Sequence, residues 1–281
     1  MLPRVEFCGM EVTRLIIGAN PFGGFSHQSR RRDREMITYH TPEEIRETWR
    51  RAWDAGINTM ITNNTTPHVI ETVTAYLAEG GPLQWIAQVS PPSGGGMRAA
   101  LDEAVEIGCK AAYLHGGLVD SLYAEKNAES LVGFVEHGRS HGIPVGVAGH
   151  GPEVHDWVDG FDIVDFHVVS FFNCGSLRSG RGERFRLPDA FRAVQCIRRL
   201  PKPCIGYKIM AAGRIDPAMA FEFAFENIKT TDVVNVGMHR GDKDGMVEEN
   251  ASLVRRILED RVSRSTPEIP FKGAEKPAAP R

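Results

Sequence analysis

Long apolar runs are missing from the 281-residue chain. None approaches the roughly 18 consecutive apolar residues of a membrane-spanning helix. The opening residues, MLPRVEFCGMEVTRL, lack the apolar core of a secretory signal. Cysteine is scarce and odd in number: Cys8, Cys109, Cys174, Cys196 and Cys204, with no C-x-x-C pair. This argues against a zinc knot or a disulfide frame and favours reduced thiols in a cytoplasmic protein. Charge of one sign is not in excess either. Lysine and arginine number 33 and acidic residues 36, a net charge of −3, so no global field draws the chain to nucleic acid or anionic lipid. No glycine fingerprint follows the first strand, which counts against a dinucleotide-binding open sheet.

What is present is a strict alternation. RLIIGAN reads as a buried strand, and TPEEIRETWRRAWDAG as a helix with Thr41 as N-cap, Pro42 at its first position, Glu44 completing a capping box and Gly56 as its stop. NTMIT is a strand, and TPHVIETVTAYLAEGG a helix that repeats the start signal with Thr66 and Pro67. The strands QWIAQVS, AAYLHGG, PVGVAGH, IVDFHVVSFF, KPCIGYKIM and DVVNVGM follow, each with a helical segment after it. Asn127 and Pro152 open two of those helices. Eight strand–helix units in one chain of this size predict an α/β protein, a closed (β/α)8 TIM barrel forming one domain over residues 1–262. Residues 263–281, rich in proline and charge, read as an extended or mobile tail.

Two connections are long, 21–40 after the first strand and 173–187 after the sixth. Both lie at the C-terminal ends of strands, where barrel enzymes carry their sites, and read as lids or binding loops. The run RRRDR at 30–34 is interrupted by aspartate and lacks interleaved aromatics, so a solvated lid suits it better than a nucleic-acid contact. Arg178, Arg181, Arg184 and Arg186 could cover an anionic substrate or form a contact between copies of the chain, which leaves a homo-oligomer open.

The chain resembles the aldo-keto reductases along nearly its whole length. VEFCGMEVTRLIIGANPFGG is similar to their N-terminal β-hairpin and first strand, RRAWDAGINT to the approach to their second strand, and AAYLHGG to the fourth strand with its histidine. VGVAGH, KIMAAGRIDP and VGMHRGDKDGMVEEN resemble the fifth strand, the seventh strand and the phosphate-binding segment. The resemblance implies a TIM barrel and a catalytic aspartate, tyrosine, lysine and histidine. At those places the chain has Ile61-Thr62, Thr66-Pro67, Gln88 and His115, so only the histidine remains. A positioned general acid is worth about 10²–10⁴ in rate, and neither threonine nor glutamine can supply it. The resemblance also implies an NADP(H) site at Arg240, Lys243, Glu249 and Asn250, while a solvated turn capping the last helix explains HRGDKDG equally well.

Polar residues at the strand ends are the remaining candidates. His115, His150 and Lys208 are expected to be catalytic, and Asn20, His27, Asn63, Gln88, Asn173 and Arg178 to contact a small-molecule substrate. His115, His150 and His167 could instead hold a divalent metal. His167 is followed by further strand residues, which sets it deep. Lys208 could serve chemistry or pair with Asp165 inside the barrel. The leading expectation is histidine acid–base chemistry, metal-assisted or not, that isomerises, epimerises or eliminates next to the carbonyl of a sugar-like substrate. An atypical NADP-dependent reductase using Tyr207 or His115, and a non-catalytic ligand-binding barrel, are the alternatives.

Overall fold

The structure is a computed structural model, and it describes residues 1–91, 95–172 and 185–265. Strands β1 (Arg4–Phe7) and β2 (Met10–Thr13) form an antiparallel hairpin. The strands β3 (Leu15–Gly18), β4 (Thr59–Asn63), β5 (Gln84–Val89), β6 (Ala111–Leu114), β7 (Val145–Gly149), β8 (Phe166–Ser170), β9 (Cys204–Tyr207) and β10 (Val233–Gly237) close in that order into one parallel barrel, β10 pairing with β3. Helices α1 (Arg30–Tyr39), α2 (Pro42–Asp54), α3 (Pro67–Ala78), α4 (Met97–Ile107), α5 (Gly116–Glu125), α6 (Ala128–Ser140), α7 (Pro152–Asp159), α8 (Leu187–Arg199), α9 (Pro217–Asn227) and α10 (Met246–Ser265) connect and cover the strands. No helix among the described residues is long and apolar enough to cross a membrane.

Strand parity sorts the side chains into two cores. Ile16, Ile61, Ile86, Tyr113, Ala148, Phe166, Val168, Ile205 and Val233 pack inside the barrel. Phe7 and Val12 of the hairpin join this inner cluster, and the Phe7 ring lies edge-on to Phe166 at 5.3 Å, so the hairpin plugs the end opposite the strand C-termini. Residues of the other parity, such as Met60, Trp85, Ala112 and Val147, meet the helices in the larger outer core. Trp85 is fully buried, and its indole N–H donates to Thr62 Oγ1 at 2.9 Å, which fixes Thr62 outward. The place where the resemblance puts an aspartate is thus held inside by apolar Ile61.

Four local expectations are corrected. The connection 21–40 is not a simple loop: α1 occupies its second half, capped by Ser29, whose hydroxyl accepts from the Arg32 N–H at 3.2 Å. Helix α5 starts directly after His115, where the pattern AAYLHGG predicts a strand running on through Gly116 and Gly117. Thr66 makes no side-chain cap. Asn63 Oδ1 instead accepts from the N–H groups of Thr65 at 3.0 Å and Thr66 at 2.8 Å, closing the turn into α3. Thr41 does cap α2, but Glu44 turns away from the box to receive the Arg240 guanidinium at 2.9 Å. The last helix runs to Ser265, and residues 266–281 of the expected tail lie outside the described residues.

Candidate functional site at the barrel mouth

His115 and His150 follow β6 and β7 directly and flank the first turn of α5. A Cβ placed on Gly116 would lie 3.3 Å from His150 Cε1 and 3.4 Å from the Tyr207 hydroxyl, and one on Gly117 would lie 3.2 Å from His115 Cε1. The two glycines keep the floor between the imidazoles clear. Asp120, on the next turn of α5, grips His150 twice. Its Oδ2 receives His150 Nδ1–H at 2.7 Å and its Oδ1 the His150 backbone N–H at 3.2 Å. A carboxylate only accepts, so the Nδ1 proton is fixed and the lone pair is left on Nε2. Lys208 Nζ lies 3.1 Å from that Nε2 and donates to it. The result is one chain of contacts, Lys208 to His150 to Asp120.

Lys208 is held there by an unusual backbone. Its φ is +58°, and Ala211, Ala212 and Gly213 downstream also have positive φ, at 48°, 56° and 79°. His27, on the facing loop after β3, has φ +53°. Non-glycine residues in the left-handed region store strain and concentrate at functional sites. The two loops clasp each other: Gln28 Nε2 donates to Ala212 O at 2.8 Å, and Arg214 Nη2 to His27 O at 3.2 Å. His27 also meets Asn20 Nδ2 at 3.5 Å.

Burial pushes His115 down to about 4, with help from the positive field of the Lys208 ammonium. His27 is likewise pushed down to about 4, by burial first and then by Lys208. Both imidazoles are therefore neutral at physiological pH and present lone pairs to the mouth. Below them, Tyr113 donates its hydroxyl to Gln88 Oε1 at 3.0 Å, and burial raises the Tyr113 phenol. The Tyr207 hydroxyl reaches Gly149 O at 3.5 Å.

Asn20, His27, Gln88, His115, His150 and Lys208 thus stand at one end of the barrel. Asn63 stands there too, with its carbonyl oxygen committed to the α3 turn. Asn173 and Arg178 lie outside the described residues. Two residues escaped the sequence reading. Asp120 sits on the unanticipated helix α5. Asn235 shares the inward parity of Val233, one layer nearer the mouth, and its Oδ1 is buried with no hydrogen-bond partner among the described residues. Parity along NVG could have found Asn235, whereas nothing local marked Asp120.

The proposed metal triad does not assemble. His167 lies between the inward-facing Phe166 and Val168 and therefore points outward, fully buried against α7. Its Nδ1 is 3.1 Å from His155 Nδ1. His150 has both ring nitrogens engaged, and a lysine ammonium sits where a metal ion would be. The pairing of Lys208 with Asp165 is not found either: Asp165 receives Arg139 Nη2 at 2.9 Å and the Val145 N–H at 2.8 Å.

The nucleotide segment does not fit its implied cofactor. The Arg240 side chain is 5% exposed and spans Glu44 Oε2 at 2.9 Å and Asp244 Oδ1 at 2.7 Å. Lys243 is paired with Glu249 at 2.6 Å, and Asn250 is buried in α10. Arg32 closes on Asp242. Two carboxylates already hold both Nη atoms of the guanidinium that a 2′-phosphate would need, and further acids surround the entry.

The architecture is that of a (β/α)8 barrel with a plugging hairpin, and comparison places it among known barrels. An aldo-keto reductase assignment from Pseudomonas aeruginosa is similar over 91% of this chain and 94% of its own, with a TM-score of 0.60 and 18% identity. Dihydropteroate synthase of Yersinia pestis is similar over 92% and 98%, with a TM-score of 0.52 and 10% identity. Gox0644 in its apo form covers 92% and 94%, with a TM-score of 0.57 and 11% identity. No family model matches the chain, and no curated protein matches its sequence. The resemblance to aldo-keto reductases is shown as one of fold, at a distance where fold alone is shared.

Proposed function

We propose that the chain is an enzyme that moves a proton next to the carbonyl of a small, sugar-like hydroxy-carbonyl compound, by isomerisation, epimerisation or elimination. The observation that carries this reading is the Lys208–His150–Asp120 chain beside the neutral His115. An ammonium at a carbonyl or hydroxyl oxygen stabilises the negative charge that develops when the adjacent carbon is deprotonated. Lys208 is placed for that role, and its present partner is the lone pair of His150, which a substrate oxygen would replace. Asp120 keeps the Nδ1 proton of His150 in place, so Nε2 is the atom that receives or returns a proton. His115 approaches from the neighbouring strand as an unprotonated base. The developing enolate would offset the positive field that lowers it. Two bases on adjacent strands can serve opposite sides of one carbon or carbon and oxygen in turn. Asn235 Oδ1, buried and unpartnered among the described residues, suits a substrate hydroxyl, and Asn20, His27 and Gln88 offer further polar contacts. The Lys208 ammonium and the neutral His27 imidazole offer hydrogen bonds that suit an oxygen-rich substrate.

The test is deuterium uptake from heavy water into a panel of aldoses, ketoses and sugar acids, read by mass spectrometry. The wild-type chain is expected to exchange at least one member next to its carbonyl. His115→Ala and His150→Ala are expected to abolish exchange with little change in melting temperature. Undiminished exchange in both variants removes these residues from the mechanism. No exchange on any member by the wild-type chain removes the reaction class.

A further inference from the structure

A second cluster of metal-ligating side chains lies on the outer wall of the barrel, away from the mouth. His137, in the last turn of α6, and His141, its C-cap, are four residues apart and so present their rings on one face. Asp102 of α4 faces them. Its Oδ1 lies 2.6 Å from His137 Nε2 and 2.8 Å from His141 Nε2, and the two rings are nearly perpendicular at 5.1 Å between centroids. The three ligand atoms lie within 4.8 Å of one another, the one such group of three or more among the described residues. From this convergence we propose that Asp102, His137 and His141 form a zinc-class metal site that ties α4 to α6.

The chemistry of the donor set supports it. Two imidazole nitrogens and one carboxylate oxygen are the ligands of a tetrahedral Zn²⁺ that keeps water in its fourth position. The i, i+4 pair is pre-oriented by the helix, so little ordering is needed on binding. Around zinc with bonds of about 2.0–2.1 Å, ligand atoms stand about 3.3 Å apart. The present separations are shorter because they are hydrogen bonds, and a rotation of half-exposed side chains opens them enough to admit the ion. The carboxylate shared by two imidazoles also supplies the negative charge that a divalent cation requires. Arg98 is one turn back on α4, its Nη2 within 2.8 Å of a Cβ placed on Gly133, one turn back on α6. Zinc competes with protons for imidazole nitrogens, so affinity falls on acidification.

Calorimetric titration of tag-free, chelator-treated full-length chain with Zn²⁺ tests the site. One ion per chain is expected, with a dissociation constant of about 10 µM or tighter. Saturating zinc should raise the melting temperature by about 5 °C, and Co²⁺ should give the visible absorption of a tetrahedral centre. His137→Ala, His141→Ala and Asp102→Asn should each weaken binding at least about tenfold. Absence of binding in the wild-type chain, or zinc binding unchanged in all three variants, overturns the proposal. His115→Ala and His150→Ala should leave zinc affinity unchanged. Deuterium exchange at the mouth should in turn survive His137→Ala, so the two sites fail separately.

Discussion

Acidification should destabilise this fold through a histidine pair remote from the mouth, and the size of the effect can be worked from the contacts. His155 Nε2 faces Gly149 O at 3.4 Å, a carbonyl that can only accept, so Nε2 carries the proton and Nδ1 is bare. His167 must then donate its Nδ1–H across the 3.1 Å contact to His155. That leaves His167 Nε2 as a bare nitrogen, buried without a hydrogen-bond partner among the described residues and 3.7 Å from Asp159 Oδ1. Neither ring can take a second proton without burying charge. Burial pushes His155 from 6.5 down to about 4, and His167 well below its ordinary value. A lowered folded pKa means that the unfolded chain binds the extra proton first. The stability contributed is complete above 6.5 and is lost as pH falls toward about 4. For His155 alone, going from about pH 7 to about pH 5 removes about 2 kcal/mol. Urea unfolding at the two pH values measures it. In His155→Gln, whose amide can still donate to Gly149 O, the pH-dependent loss should shrink by about that amount. A loss of equal size in wild type and variant would refute the tautomer assignment and the burial argument together.

Three further outcomes follow from contacts already described. Asn63→Ala removes the acceptor that closes the turn into α3 and should cost about 0.5–2 kcal/mol in urea unfolding; an unchanged midpoint would show that the turn closes without it. Asp120→Asn can donate as well as accept at His150 Nδ1, so it releases the tautomer. Deuterium exchange should fall by about 10²-fold or more with little change in KM, and a shift confined to KM would place Asp120 in binding instead. Titration with NADPH, followed by cofactor fluorescence, should show no saturable binding at millimolar cofactor, because Arg240 is already paired with Glu44 and Asp244; micromolar affinity would reinstate the reductase reading.

The barrel was legible because each strand is a short apolar run closed by a turn signal, and several helices announce themselves by a cap with proline behind it. Thr41-Pro42, Asn127 and Gly151-Pro152 all begin helices as expected. Where pattern reading missed helices, local chemistry ran against the outcome. Gly116 and Gly117 read as the end of a strand, yet they open α5, and a Cβ on them would crowd the two histidines and Tyr207. That omission hid Asp120, the residue that orients His150. The expectation for His167 erred for a different reason. Three histidines on adjacent strands suggested convergence, while the alternation Phe166-His167-Val168 already implied that His167 faces outward. Arg240 and Lys243 beside a helix start suggested an anion site, but Glu44, Asp244 and Glu249 satisfy them. Long-range pairing of charges is not encoded in local spacing. The interior Asn235 was missed because its orphaned oxygen becomes visible only when the barrel closes.

The proposed proton transfer needs Lys208, His150 and Asp120 to act as one chain, and that chain fixes the tautomer of His150. Nitrogen-15 NMR of histidine-labelled protein, with the His150 signals assigned through His150→Gln, reads which ring nitrogen carries the proton. The predicted result is a protonated Nδ1 and a bare Nε2, with the Nε2 signal displaced in Lys208→Ala. A proton on Nε2 with Nδ1 bare, or an Nε2 signal indifferent to loss of Lys208, would contradict it.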